Sequence, residues 1–408
     1  MIPLKKVINN YILQATGLLA TIAFQLYIAN AFTKADYGVF SVVWSSLLIV
    51  STVSVLGMDR HLIKRSSHVS IAKQCENYLR SIRILGLTGL VGGLLLVIYF
   101  RSQHYQWEII ISSLAIYLLH SAIKLNEGSL IAAHKVAQVN LFVSLIRPSL
   151  FLLFSYLAYL KFGKTSVSMV LLMQAMILMF VFIGTKPRLS LILHKQKIGT
   201  GRLRGLVWIK SSFPFLLIGL SLVVNQNMDI LIINFYLGAN DVANYSFASK
   251  IVAYSGISLG VFATIISPIV AELGIDQRKV NDTNKKFALF AFLSIMIAWL
   301  FSVYALDKFF PKYQETVPII EAMLTTLAIK GVFGPVEVYL TMRGYSSAAS
   351  KIMMFSSVIN ILLNLLLIPV MGIWGGVVAM IATTLFWNFL MFRHLLKYSG
   401  INVFLIQH

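Results

Sequence analysis

Residues 168–185 read SMVLLMQAMILMFVFIGT, and residues 186–210 continue KPRLSLILHKQKIGTGRLRGLVWIK. The first stretch carries no charge and falls within the roughly 17–25 residues that take a helix across a bilayer core. The second holds Lys186, Arg188, Lys195, Lys197, Arg202, Arg204 and Lys210 with no acidic residue. An apolar run that ends in a block of positive charge marks a span terminating on the cytoplasmic side, where Lys and Arg accumulate. The same reading extends in both directions. Spans are expected near 11–31, 38–58, 84–100, 108–125, 139–160 and 168–185, and, after the basic connector, near 211–233, 242–266, 287–306, 317–340, 352–369 and 374–392. The expected fold class is all-α integral membrane, with about 12 transmembrane helices.

Composition agrees. Of the 408 residues 58% are hydrophobic and 12% are charged, with mean hydropathy +0.82. Soluble domains run near ~25% charged. Short loops leave no room for a sizeable soluble domain. Strand-like alternation over ten-residue segments, the mark of a β-barrel, is absent from the sequence. The single cysteine, Cys75, excludes an intrachain disulfide framework. Lys5 and Lys6 precede an apolar stretch ending at Ala29-Asn30-Ala31, which has the look of a cleavage site. That stretch is long for a signal peptide and carries Gln14 and Gln25, so an uncleaved first span is expected.

The net charge of +20 reads as topology rather than as a nucleic-acid surface. With the N-terminus inside, about 25 of the 34 basic residues fall in inside segments and about six in outside loops. One missed span would invert half the loops and spoil the bias. Both termini are therefore expected in the cytoplasm. The expected division is a six-helix bundle over 1–185, a basic cytoplasmic connector over 186–210 and a second six-helix bundle over 211–408. An even number of spans in each half makes any repeat a parallel one. A weak echo supports it: Ala35-Asp36-Tyr37-Gly38-Val39-Phe40-Ser41 before span 2, and Asp241-Val242-Ala243-Asn244-Tyr245-Ser246 before span 8.

The residues that would drive an ATP pump or an enzyme are missing. Gly163-Lys164-Thr165 resembles the end of a phosphate-binding loop, but Ala158 stands where that loop needs its first glycine. Gly199-Thr200-Gly201 is not completed, because Arg204 takes the last glycine position. The eight histidines show no pair at metal-ligand spacing. No cofactor or metal is expected.

Five ionisable residues inside expected spans stand out: Arg147, Asp229, Lys250, Lys330 and Glu337. Each costs a few kcal/mol or more at the bilayer centre, so each is expected to face a cavity or a partner. Arg147, Lys250 and Lys330 would make a cationic site on three helices, suited to a phosphate-bearing substrate. Lys330 and Glu337, seven apart, would share one helical face. Snorkelling or local ion pairing is the plainer account, strongest for Asp229 and Glu337 near an interface. Asp229 and Glu337 are the candidates for ion coupling, with Asn225 and Asn227 as further polar cavity residues. The run Asn225-Gln226-Asn227-Met228-Asp229 suggests an interrupted helix. Pro148, Pro214 and Pro335 are expected to kink their helices. Gly89/Gly93, Gly256/Gly260 and Gly372/Gly376 are expected to pack helices closely.

Three stretches carry a resemblance. The first is Asp36-Tyr37-Gly38-Val39-Phe40. The second runs from Asp229 through Leu237-Gly238 to Tyr245 and Ala248. The third runs from Asn360 through Asn364, Ile368-Pro369 and Gly372 to Gly375-Gly376. In this order and in these spans the chain resembles the polysaccharide transporters of the multidrug/oligosaccharidyl-lipid/polysaccharide exporter superfamily, most of all the O-antigen (Wzx-type) flippases. The resemblance implies two six-helix bundles around a central cavity in a bacterial inner membrane. It implies translocation of an undecaprenyl-diphosphate-linked oligosaccharide from the cytoplasmic to the periplasmic leaflet. Implied partners are the lipid-linked substrate, the lipid bilayer, a polysaccharide polymerase and a chain-length regulator. The rival readings are a multidrug or small-solute exporter of the same superfamily, a membrane polysaccharide polymerase, and a non-transporting scaffold. Basic rather than acidic residues in mid-span disfavour the cation exporter, and short outer loops disfavour the polymerase.

Overall fold

The computed structural model describes residues 4–67, 69–163, 165–187, 202–272 and 277–403. Twelve helices are long and apolar enough to cross a membrane, and no strand occurs among the described residues. The chain is a multi-pass membrane protein.

Two compact units divide between Val223 and Val224. The first holds α1 (Leu4–Ala31), α2 (Lys34–Val55), α3 (Met58–Ser66), α4 (Ile71–Ser102), α5 (Trp107–Ala132), α6 (Val136–Val139), α7 (Arg147–Phe162), α8 (Val167–Thr185) and the first part of α9 (Arg202–Tyr236). A wide π-helical segment, Asn140–Ile146, joins α6 to α7. The second unit holds the rest of α9, then α10 (Ala239–Ser255), α11 (Ile257–Glu272), α12 (Gln277–Leu300), α13 (Leu306–Phe309), α14 (Val317–Phe333), α15 (Val336–Met342), α16 (Ser346–Met371) and α17 (Ile373–Ser399). A second π-helical segment, Phe301–Ala305, joins α12 to α13. The boundary thus lies inside α9, beyond the expected connector, and connector residues 188–201 fall outside the described residues.

Local chemistry explains the elements. Thr33 caps α2: its Oγ1 accepts from the Asp36 backbone N–H at 3.1 Å and donates to Asp36 Oδ2 at 2.7 Å. The acidic residue of the first motif therefore holds the capping hydroxyl in place at the start of α2. Tyr37 and Phe40, from the same motif, are buried. Asp241 likewise sits in the first turn of α10.

Helix α4 shows how a membrane helix sorts its faces. Leu85, Gly89, Gly92, Leu96 and Phe100 recur every three or four residues and are buried. Leu87, Leu90, Val91, Leu94 and Ile98 are exposed, as a lipid-facing stripe requires. The close approach is at Gly92 rather than at the Gly89/Gly93 pair: a Cβ there would overlap Tyr117 Oη. That hydroxyl lies 2.5 Å from Ser54 Oγ and donates to the Gly89 carbonyl at 3.2 Å, tying α2, α4 and α5 together. In the second unit Gly375 does the same for α16 and α17, where a Cβ would overlap the Leu367 carbonyl. Gly260 has open space around it, and Gly372 ends α16 with a φ of 61° instead of packing helices.

Several expectations change. Span 3 is longer than 84–100, because α4 begins at Ile71 and carries Lys73, Glu76, Arg80 and Arg83 on the helix itself. The polar run 225–229 does not interrupt α9, which continues unbroken through it and through Pro214. Its polar groups are tolerated because Asn227 and Asp229 turn inward and are buried. Span 10 does break. Helix α14 ends at Phe333, Gly334 takes φ 65° and ψ −170°, and α15 restarts after Pro335. A second break, at Gly256, separates α10 from α11.

Candidate functional site

In the first unit the charges converge on α5. His120, Lys124 and Glu127 recur at intervals of four and three residues, so they share one face of that helix. Asp59 of α3 and Arg147, the first residue of α7, join them. Electrostatic interaction links Arg147 to Glu127, and Lys124 to Asp59, Glu127 and Arg147. His120 lies in the field of Lys124 and Arg147. Lys124 Nζ also donates to Thr52 Oγ1 of α2 at 3.0 Å. Three helices, α3, α5 and α7, therefore place Lys124, Arg147, Asp59, Glu127 and His120 together, with Arg60 of α3 as a further cation in the field of Lys124. His120, Lys124, Glu127 and Arg147 are each half-buried, neither sealed in the core nor on the lipid face.

Position follows from packing. Gly128 lets α5 approach α3 so closely that a Cβ would overlap the Asp59 carbonyl oxygen. Gly17 of α1 meets the Ser144 carbonyl of the π segment in the same way. The wide turn is held there, just ahead of Arg147. Gln14 Nε2 donates to Asn140 Oδ1 at 3.2 Å, pinning the other end of the segment.

In the second unit Asp229 is 5% exposed, and its Oδ2 accepts from Tyr245 Oη of α10 at 2.5 Å. Asp229 Oδ1 has no hydrogen-bond partner among the described residues, and neither has Asn225 Oδ1, one turn earlier on α9. Tyr245 is 1% exposed, and a Cβ on Gly376 of α17 would meet its ring at 3.0 Å. The second and third motif stretches thus meet at one point: acid, phenol and the glycine that makes room for the phenol.

Lys330 lies in the last turn of α14 and Glu337 in the first turn of α15, and the two interact electrostatically across the Gly334–Pro335 break. They do not share a face of one helix, as their spacing suggests, because the helix is broken between them. A cation at a helix C-terminus and an anion at a helix N-terminus each complement the local dipole. Lys330 is half-buried and Glu337 is exposed. Lys250 is half-buried on α10, which packs against α14.

Of the three basic residues read from the sequence, Arg147 belongs to the first unit and Lys250 and Lys330 to the second. Arg147 stands in a cluster of mixed sign rather than a purely cationic one. Sequence reading misses Glu127 because it ends span 4 at 125, and misses Lys124 because, one residue from that end, it counts with the basic residues of the inner side. The 120–124–127 spacing is the available signal. No group of three or more His, Cys, Asp or Glu residues able to hold a metal occurs among the described residues.

No family model matches the sequence, and no curated protein matches it. Solved structures do. Lipid II flippase MurJ, in an inward closed conformation, superposes with TM-score 0.70 at 16% identity, over 95% of this chain and 87% of that one. An inward-facing multidrug resistance MATE family transporter of the MOP superfamily gives 0.64 at 12% identity, over 94% and 95%. The MATE multidrug transporter DinF-BH gives 0.59 at 14% identity, over 100% and 98%. At these identities the likeness is one of fold: twelve membrane-spanning helices arranged as in a lipid II flippase and in MATE transporters.

Proposed function

We propose that the chain is a flippase that moves an undecaprenyl-diphosphate-linked oligosaccharide from the inner to the outer leaflet of a bacterial inner membrane, for O-antigen or a related surface polysaccharide. Arg147 with Lys124, among helices α2, α3, α5 and α7, is the observation that carries this reading. A diphosphate cannot cross hydrocarbon as an anion, and two cations within a membrane interior supply the counter-charge. Glu127 and Asp59 hold those cations in place between substrates, so that neither is left unpaired. Within the second unit, Lys250 and Lys330 are the basic residues proposed to meet the diphosphate, and Asn225 and Asn227 the polar lining. The likeness of fold to a protein named as a lipid II flippase supports the substrate class.

In this reading both termini face the cytoplasm, and the protein hands its product to a polysaccharide polymerase and a chain-length regulator. The chain acts as two six-span halves, 1–185 and 211–408, joined by the basic connector 186–210. Asp229 is the coupling residue we favour over Glu337. Its Oδ1 is a buried carboxylate oxygen with no donor among the described residues, where a proton or alkali cation would settle.

The same carboxylate favours a second reading, an exporter of small cationic solutes. Complementation separates the two. In a flippase-deleted strain, the flippase reading expects surface polysaccharide to return and lipid-linked repeat units to leave the cytoplasmic leaflet. No restoration across several cognate hosts, with the protein present in the membrane, rejects it in favour of the exporter.

A further inference from the structure

Away from the charged cluster on α5, the first turns of α4 and α9 and the length of α3 line a half-open cavity of about 400 Å³. Its lining includes His61, Arg65, Lys73, Asn77, Arg80 and Trp208. None of these has a part in the transport reading, and the site stands or falls separately from it.

The floor is fixed. Trp208 is 7% exposed, and its Nε1 donates to Ser81 Oγ at 3.1 Å. The His61 ring meets the indole edge-on at 4.3 Å, and the Arg80 guanidinium lies over it at 5.5 Å. Val55, Met58, Leu62, Leu85 and Leu125 pack beneath the indole. Asn77 Nδ2 donates to Ser66 Oγ at 3.1 Å, tying α4 to α3.

The walls are charged. Glu76 accepts from both Lys73 and Arg80, each at 2.7 Å. Arg65 has no carboxylate partner among the described residues. Three cations thus face one carboxylate. His61 is 3% exposed, yet neither ring nitrogen has a hydrogen-bond partner among the described residues. Burial, then Arg65 and Lys64, push this imidazole from 6.5 down to about 4, so it is neutral at physiological pH and offers one N–H. An unpartnered buried donor, surplus positive charge and a rigid aromatic floor together describe an anion site.

We propose that this cavity binds a phosphate-bearing anion, either a phospholipid head group or a soluble phosphate. Arg65 would grip two phosphoryl oxygens with its planar fork, Lys73 would add a point charge, and His61 would donate its N–H. The cavity lies at the starts of α4 and α9, ahead of the apolar stretches of both helices, where a head group would be met if those stretches span a bilayer. Val69 and Val207 give its rim an apolar side against which a glyceride could continue.

Calorimetric titration of the purified full chain in a neutral detergent tests this, with inorganic pyrophosphate and dioctanoyl phosphatidylglycerol as probes and dioctanoyl phosphatidylcholine for comparison. R65Q is expected to weaken binding about tenfold, and E76Q, which removes the competing carboxylate, to strengthen it. The opposite signs guard against a mere folding defect. Both anionic probes responding in this way establishes a general phosphate site. A response from phosphatidylglycerol alone assigns it to a lipid head group, and from pyrophosphate alone to a soluble anion. Binding that is absent, equal for phosphatidylcholine, or unmoved by both substitutions overturns the proposal.

Discussion

Tyr245 donates its phenolic proton to Asp229 across 2.5 Å, and both residues are buried in the second unit. Removing the hydroxyl strands a carboxylate among apolar neighbours. Y245F is therefore expected to destabilise the fold by about 1–3 kcal/mol. D229N keeps an acceptor for the phenol and should retain most of the stability while losing dependence of flux on an ion gradient. Thermal unfolding in detergent and leaflet-resolved flux measure the two effects. Full gradient-dependent flux in D229N would remove Asp229 from the coupling step.

Arg147 and Glu127 interact electrostatically through space in the first unit. Taking away one partner leaves a charge with weakened compensation, at a cost of about 3–5 kcal/mol if the site is dry. Half-burial of both groups means the observed loss should fall below that range. R147A is expected to abolish complementation. The double variant R147A/E127A should recover stability without recovering transport. Restored transport in the double variant would mean that the arginine only neutralises the glutamate.

The break between α14 and α15 invites substitution at its hinge. Gly334 has a φ of 65°, and a Cβ there would meet Asn284 Oδ1 at 2.7 Å. G334A is expected to destabilise by about 1–3 kcal/mol through backbone strain. K330A, which removes a helix-end cation and its attraction for the exposed Glu337, should cost about 0.3–1 kcal/mol. Parallel thermal-shift curves rank them, and an equal loss in both would contradict the dipole account of Lys330. Under the transport reading K330A also reduces surface polysaccharide, as does K250A.

His61 gives the fold a pH dependence with a definite sign. Its imidazole is held at about 4 rather than 6.5, so the unfolded chain protonates first. The stability that neutral His61 contributes is whole above pH 6.5. It declines as pH falls toward about 4 and then levels off, once the folded residue protonates as well. Melting temperature followed across that window should fall more steeply in the wild type than in H61Q. Identical slopes would mean that other groups set the acid limit.

Most of the architecture is legible in residue order, because a bilayer demands long apolar runs and sorts Lys and Arg by side. Residues 168–185 and the basic stretch after them announce a span and its inner end. What residue order hides is phase and depth. Lys124 reads as the inner edge of its span and Glu127 as a loop residue because a hydropathy boundary is vague by several residues, whereas α5 runs on to Ala132. The polar run on α9 reads as a break because hydropathy records composition and not direction; inward-facing Asn227 and Asp229 let the helix continue. Spacing links Lys330 and Glu337 for a reason that fails, since Gly334 breaks the face they would share. The Asp229–Tyr245 contact joins residues 16 apart on adjacent helices, and no periodicity points to it.

The wide turn at Asn140–Ile146 sets a compass bearing. Each residue rotates a helix by about 100°, so the surplus residue that a π turn accommodates decides where everything after it points. Deleting one residue from this segment would leave α7 just as long and just as apolar, yet swing Arg147 about a quarter-turn away from Glu127. The span would still insert, and the compass needle would have lost its north.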